Sequence, residues 1–420
     1  MAKYITSRFN YLTPFDDNRY IIFNSLTGNI MLLNEDVFQR FTSYSTTEEE
    51  TQKLLELGFY TDINGESDLI SFRNMIPKRK IARIWTTSAC NANCFYCFEK
   101  GVPPINTSLS TADRIVTFLL SQVIDSDNSI HIEWFGGEPL LNPSVIDYIS
   151  NRLESEKVSY SSFIITNGSL ISDCMIRKMK GAWKVGGLQI TLDGKSDEYD
   201  RIKDYYDRKL YNYEKVIDNI KKLVDNNIHV SVRMNYTGEN GETLLELVDD
   251  LYNHFGNNKY LSAYVYPVWS CTNLSTEHRY ISNVTSDRNV LEIFRKIIQY
   301  GMNSIESLGR LSRRTHFCMT CNEKSFAFFP DGTIGKCSEA MSYCIGSVTD
   351  GITDLKLAEK WTKYEPPQKC NLCNLLPICL GGCPTSNMLD MPSCYPYKEI
   401  LPELLKLYVE EIQKRKYKEV

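Results

Sequence analysis

Between about residue 80 and residue 265 six short apolar runs alternate with longer stretches, most of which carry apolar positions at helical spacing. The runs are Ile81–Thr86, Ile130–Phe135, Phe163–Thr166, Leu188–Leu192, Val230–Asn235 and Leu261–Val265. Helical spacing falls between them at Thr111–Ile124, Ser144–Glu154, Tyr213–Val224 and Leu244–Phe255, and again after the last run at Val290–Tyr300. Period-two runs alternating with period-3.6 stretches of this length predict parallel βα units. Six of them predict an α/β fold built on a partial (β/α)6 TIM-type barrel, with chemistry at the C-terminal ends of the strands. A barrel short of two units should leave a lateral opening.

The pattern changes on both sides. In residues 1–78, Arg19–Asn24 and Asn29–Asn34 are apolar runs joined by Ser25-Leu-Thr-Gly28, a hairpin signal with glycine in the turn. Thr46-Thr-Glu-Glu-Glu opens a helix that closes at Gly58. This small unit resembles the winged-helix-like elements that recognise leader peptides in peptide-modifying enzymes; a purely structural cap fits the same pattern. The barrel is expected over 79–305. From 306 to 396 periodicity gives way to Cys, Gly and Pro, as in folds held by metal rather than by an apolar core. Residues 397–420 read as a C-terminal surface helix with basic residues near its end.

Charge narrows the partners. A net charge of −5 gives no electrostatic reason to expect nucleic acid. The N-terminal residues lack the apolar core of a signal peptide, and no apolar run is long enough to span a membrane, so a cytoplasmic protein is expected. Fourteen cysteines are many for a reducing compartment, where clustered Cys points to metal or catalysis. Cys174, Cys271 and Cys344 fall outside the spaced groups and are expected to be buried, inert thiols.

Cys90-x3-Cys94-x2-Cys97 sets three thiolates within eight residues. Three cannot complete an iron–sulfur cube, so one iron stays open for a ligand. The spacing resembles the signature of the radical S-adenosylmethionine (SAM) superfamily, in which the open iron binds the amino and carboxylate groups of SAM. Half of a structural zinc site is the competing reading. Gly136-Gly137-Glu138-Pro139, ending the second run, resembles the family's GGEP motif, which implies that Glu138 receives the SAM amino group. Thr191-Leu-Asp193-Gly194, ending the fourth, resembles its S-L-D-G strand, with Thr191 toward the ribose. Asn167 ends the third run; Tyr96 matches the aromatic beside the adenine. The family's carboxylate-binding Arg falls here on Lys203, with Arg201 close by, and Arg233 and Asn235 are further cofactor contacts expected on strand five.

The C-terminal cysteines resemble those of the SPASM domain of peptide and enzyme maturases: Cys321-x10-Gly332-x4-Cys337, then Cys370-x2-Cys373-x5-Cys379-x3-Cys383, then Cys394. Cys318 would be an eighth ligand. By resemblance Cys318, Cys321, Cys337 and Cys383 hold a nearer auxiliary cluster, and Cys370, Cys373, Cys379 and Cys394 a farther one. That makes three [4Fe–4S] clusters plus SAM; two structural zinc sites are the alternative by spacing alone. The anaerobic sulfatase maturases have Asp directly after the third Cys of this region. Here Ser338 stands there, followed by Glu339, the candidate base.

The resemblance implies a radical SAM maturase acting on a ribosomally made precursor peptide and fed by a reductant such as flavodoxin or ferredoxin. A thioether crosslink is the expected product. Formylglycine formation, carbon–carbon crosslinking or epimerisation, and a non-catalytic electron-transfer or zinc scaffold are the other outcomes.

Overall fold

The computed structural model describes residues 4–62, 80–125, 127–268, 288–304, 307, 311, 318–388 and 394–418. The expected boundaries near 78 and 305, and Cys271, lie outside those residues. In the N-terminal unit, strands β1 (Tyr4–Thr6) and β5 (Tyr60–Asp62) pair with each other. Strands β2 (Asn10–Asp16), β3 (Arg19–Asn24) and β4 (Ile30–Asn34) form an antiparallel sheet. The expected hairpin is β3–β4, and Gly28 supplies the left-handed residue of its turn (φ +77°). The strand β2 turns into β3 through Asp17-Asn18, and Pro14 sits at a register shift in their pairing. Two helices follow, Glu35–Thr42 and Glu48–Glu56; the second opens on a capping box in which Thr47 and Glu50 satisfy each other's backbone amides. Ile22, Leu33, Phe41, Leu54, Phe59 and Tyr60 close a small core of their own.

The six expected strands are all present: β6 (Ile81–Thr87), β7 (Ser129–Gly136), β8 (Ser159–Thr166), β9 (Val185–Leu192), β10 (Val230–Tyr236) and β11 (Leu261–Pro267). Each pairs in parallel with the next. Along β7 burial alternates residue by residue. Ile130, Ile132 and Trp134 pack outward into the main core, while Glu133 and Phe135 point the other way. Helices lie between the strands; Asp173–Lys180 and Ser196–Lys203 are short and polar, which is why apolar periodicity does not predict them.

Neither edge of the six-stranded sheet is bare. The first strand β6 is joined in parallel by β12 (Phe326–Phe328), which continues antiparallel through β13 (Thr333–Gly335), β14 (Cys344–Ser347) and β15 (Gly351–Ile352) into one ten-stranded sheet. Gly332 takes the left-handed position of the β12–β13 turn (φ +88°). On the far edge, β11 bonds to Met302, Asn303 and Tyr397: Ala263 N donates to Met302 O (3.4 Å), Asn303 Nδ2 donates to Ala263 O (3.0 Å) and Tyr397 Oη donates to Val265 O (2.7 Å). The side expected to stand open is therefore lined by hydrogen-bonded chain at both edge strands. The C-terminal helix runs Leu401–Lys418. Among the described residues no helix is long and apolar enough to cross a membrane.

Candidate active site

The Cys90–Cys97 loop leaves the C-terminal end of β6, and the neighbouring strand end holds it in place. Gly137 N donates to Thr87 O (3.0 Å) and Glu138 N to Ala89 O (2.9 Å). A Cβ on Gly136 would stand 2.1 Å from Thr87 O, and one on Gly137 2.3 Å from Ala89 O. The two glycines are thus required by the close approach of the backbone leading into Cys90. Glu138 is fully buried and bonded within the chain: Leu140 N (3.0 Å), Thr166 Oγ1 (2.7 Å) and Asn167 N (2.8 Å) all donate to it. Burial raises its pKa. It ties the ends of β7 and β8 together beside the cavity.

That cavity, about 340 Å³, lies over the strand ends, and Cys90, Cys94 and Cys97 all line it. Tyr96, Gly136, Gly137, Asn167, Thr191, Lys203, Arg233, Asn235 and Glu339 from the sequence reading line it too. Asp193 does not; it lies beneath, wholly buried, as the centre of a polar cluster. Lys203 Nζ is 2.8 Å from its Oδ2, Tyr96 Oη donates to it at 2.9 Å, and Asn235 Nδ2 donates at 2.8 Å. Lys203 also donates to Thr191 Oγ1 (2.7 Å). Burial alone would lower the Lys203 pKa, but the surrounding acidic groups, the Asp193 carboxylate foremost and then Tyr96 and Cys94, together outweigh it and hold the ammonium well above its ordinary range. Between the two basic candidates the structure separates clearly. Arg201 is exposed, paired with Glu198 on the outer face of its helix (2.7 Å), and does not reach the cavity; a helix that turns Lys203 inward turns Arg201, two residues earlier, outward.

Several lining residues were not singled out by sequence: Arg83, Phe98, Glu99, Phe135 and Gln189. Gln189 stands two residues before Thr191 on β9, so strand alternation alone would have found it. The Oε2 atom of Glu99 is buried with no hydrogen-bond partner, and burial, then the charge of Glu138, pushes its carboxyl up to about 8. Burial also raises the three thiols, Cys97 to about 12.

In the C-terminal region Cys370, Cys373, Cys379 and Cys394 line one small cavity. A hydrogen bond with Cys379 pulls the Cys394 thiol down to about 6. Cys318 lies within electrostatic reach of both Cys337 and Cys383, and the backbone turns back from Cys321 N to Cys318 O (3.0 Å). Of the leftover thiols, Cys344 is half-buried on β14, but Cys174 is exposed; it sits in the solvent-facing first turn of its helix, contrary to the expectation of a buried thiol.

Residues 84–251 match the Radical SAM superfamily. Among curated proteins the chain is 25% identical over 203 residues to the radical SAM cyclopropyl synthase TigE of Paramaledivibacter caminithermalis, covering 37% of this chain and 42% of that protein. It is 32% identical over 125 residues to the uncharacterised protein MJ0907 of Methanocaldococcus jannaschii, covering 29% and 41%. The matches thus span about two fifths of these relatives' length. Among solved structures, Streptococcus suis SuiB bound to S-adenosylmethionine superposes with a TM-score of 0.51 at 17% identity over 92% of this chain and 96% of that one. SuiB has also been solved with its precursor peptide SuiA. The anSMEcpe structure with bound AdoMet gives 0.54 at 14% identity over 78% and 99%. At these identities the likeness is one of fold.

Proposed function

We propose, from the premise that this chain carries a radical SAM domain, that it is a maturase which removes a hydrogen atom from a bound peptide and installs a crosslink, a thioether by the habit of such enzymes. The observation that carries the proposal is the convergence of Cys90, Cys94 and Cys97 with Gly136, Gly137, Thr191 and Lys203 on one cavity over the strand ends. The donor set fits an iron–sulfur cube with an open iron. Three thiols face one space, and each is pushed up by burial, so a thiolate there needs a bound cation to offset it. Among the described residues no three His, Cys, Asp or Glu side chains converge on a point that would hold a single ion. A cube does not ask for that, because its thiolates sit on separate irons. When bound, the cluster and SAM supply a 5′-deoxyadenosyl radical able to take hydrogen from an unactivated carbon.

The chain's own residues bind and orient. Gly136 and Gly137 line the cavity where they pack against the backbone leading into Cys90, Tyr96 and Phe98 offer aromatic faces, and Thr191, Lys203, Arg233 and Asn235 offer polar contacts. Lys203 keeps its charge against Asp193 and so presents a fixed cation to a ligand carboxylate. The two C-terminal cysteine groups would hold two auxiliary clusters, and residues 1–78 would recognise a leader segment. SuiB, with the same fold, was crystallised with a precursor peptide, which supports a peptide substrate here. Formylglycine formation is the second reading, favoured by the likeness to anSMEcpe; Ser338 in place of the maturase Asp weighs against it. A one-electron reductant such as flavodoxin or ferredoxin completes the scheme.

Anaerobic reconstitution with iron and sulfide, followed by dithionite and SAM, tests this. 5′-Deoxyadenosine should appear, and should vanish when Cys90, Cys94 and Cys97 are replaced by Ala. Its persistence in the triple variant would overturn the assignment.

A further inference from the structure

Arg83 stands on β6, inside the sheet's cavity face, and its guanidinium is committed on three sides. Nε and Nη2 both reach Glu133 Oε2 on the neighbouring strand (2.7 and 2.5 Å). Its Cζ stands 5.4 Å from the centre of the Phe135 ring. Nη1 donates to Ser338 Oγ at 2.8 Å, across 255 residues of chain. Ser338 lies between Cys337 and Glu339 and is fully buried. Arg83 and Glu339 both line the central cavity. One side chain therefore touches the first barrel strand, the wall of the cavity and the loop that carries Cys337.

We infer that Arg83 is a positioning residue that clamps the Cys337 loop to the barrel and, as a fixed cation between the cavity and the Cys318/Cys321/Cys337/Cys383 group, raises the reduction potential of the cluster held there. This rests on the reading above that those four cysteines hold an iron–sulfur cluster. Reduction adds one negative charge to a cluster already anionic through its four thiolates, so a nearby buried cation favours the reduced form. The charged and titratable groups facing the guanidinium are Glu133, Cys337 and Glu339, and Cys318 feels its charge in turn. Glu133 is the counterweight: it cancels part of the charge that the thiolates would otherwise meet. Two changes on one ion pair should therefore act in opposite directions. A role confined to packing would move them together or not at all.

The test is a redox titration of the full-length, anaerobically reconstituted protein followed by electron paramagnetic resonance. The relevant signal is the one that disappears when Cys318 and Cys321 are replaced by Ala. Arg83→Gln should lower its midpoint, changing the ratio of reduced to oxidised cluster at a fixed potential on the order of tenfold. Glu133→Gln should raise it, and Arg83→Lys should stay close to the parent. The other two signals should hold still. If Arg83→Gln does not load with iron, Glu133→Gln decides alone, since it keeps the guanidinium and its bond to Ser338. Unchanged midpoints, or shifts of the same sign, overturn the inference about Arg83. A parent protein in which the Cys318/Cys321 change removes no signal overturns the cluster reading itself, and the inference with it.

Discussion

At the scale of single residues the site is organised by one buried charge pair. Lys203 and Asp193 are 3% and 0% exposed, and each is the other's main compensation for leaving water. Breaking such a pair from one side leaves an uncompensated buried charge, which costs about 3–5 kcal/mol, whereas replacing both sides with neutral groups of similar volume costs far less. Lys203→Met and Asp193→Asn should each lower the melting temperature sharply, and the double variant should recover most of the loss. A double-mutant cycle with no coupling would show that the pair is not what holds the strand ends together. The cysteines and the Gly136–Gly137 pair are legible from spacing because metal ligation and close backbone approach demand particular residue types at particular separations. Arg83 and Glu99 were not, because their meaning comes only from what a strand register and a cavity bring beside them. The tie that Glu138 makes between β7 and β8 was not legible, since burial and three chain donors are properties of the folded loop.

At the scale of elements, the barrel strands were visible because each carries a period-two apolar face packed under helices. The three-residue strands β12 and β13 were not: they are too short to show a period, and pairing, not composition, defines them. The N-terminal unit shows how a local device supports an element. Glu50 accepts from Arg40 Nε (3.1 Å) and caps the backbone of Thr47 (3.0 Å). The Arg40 bond, then the Thr47 amide, hold its carboxyl down at about 2. A carboxyl depressed in the folded state stabilises above its unfolded value, near 4.5, and that contribution is lost as pH falls toward 2. Glu50→Gln should therefore destabilise the protein at neutral pH relative to the parent. The difference between the two should shrink steadily below about pH 4.5 and disappear near 2. Thermal melts of both proteins across that range check it, and a difference independent of pH would mean that the cap works through shape alone.

At the scale of the whole molecule, the three units are stitched together by contacts that alternation and motif spacing do not foretell. Asn374 Nδ2 donates to Asn10 O (3.1 Å) and Arg8 Nη1 to Asn371 O (3.1 Å), so the N-terminal unit rests on the loop around Cys373. The C-terminal region is hydrogen-bonded into the barrel sheet itself through Phe326–Phe328 on Ile81–Thr87, over a small core of Trp85, Ala327 and Phe329. Strands of three and two residues have few ladder bonds of their own, and on the proposed reading the clusters bound by the C-terminal cysteines would help to hold them. The barrel's first strand would then owe part of its protection to cysteines more than 230 residues away in the chain. Replacing Cys318, Cys321, Cys337 and Cys383 with Ala should release β12, and amide hydrogen exchange should rise in Phe326–Phe328 and along Ile81–Thr87. Exchange in β9, β10 and β11, on the opposite side of the sheet, should stay near the parent rate. Equal protection of Ile81–Thr87 in both proteins would mean that the barrel closes its first edge without help from the C-terminal region. A rise spread over all six strands would mean that barrel and C-terminal region unfold as one cooperative unit.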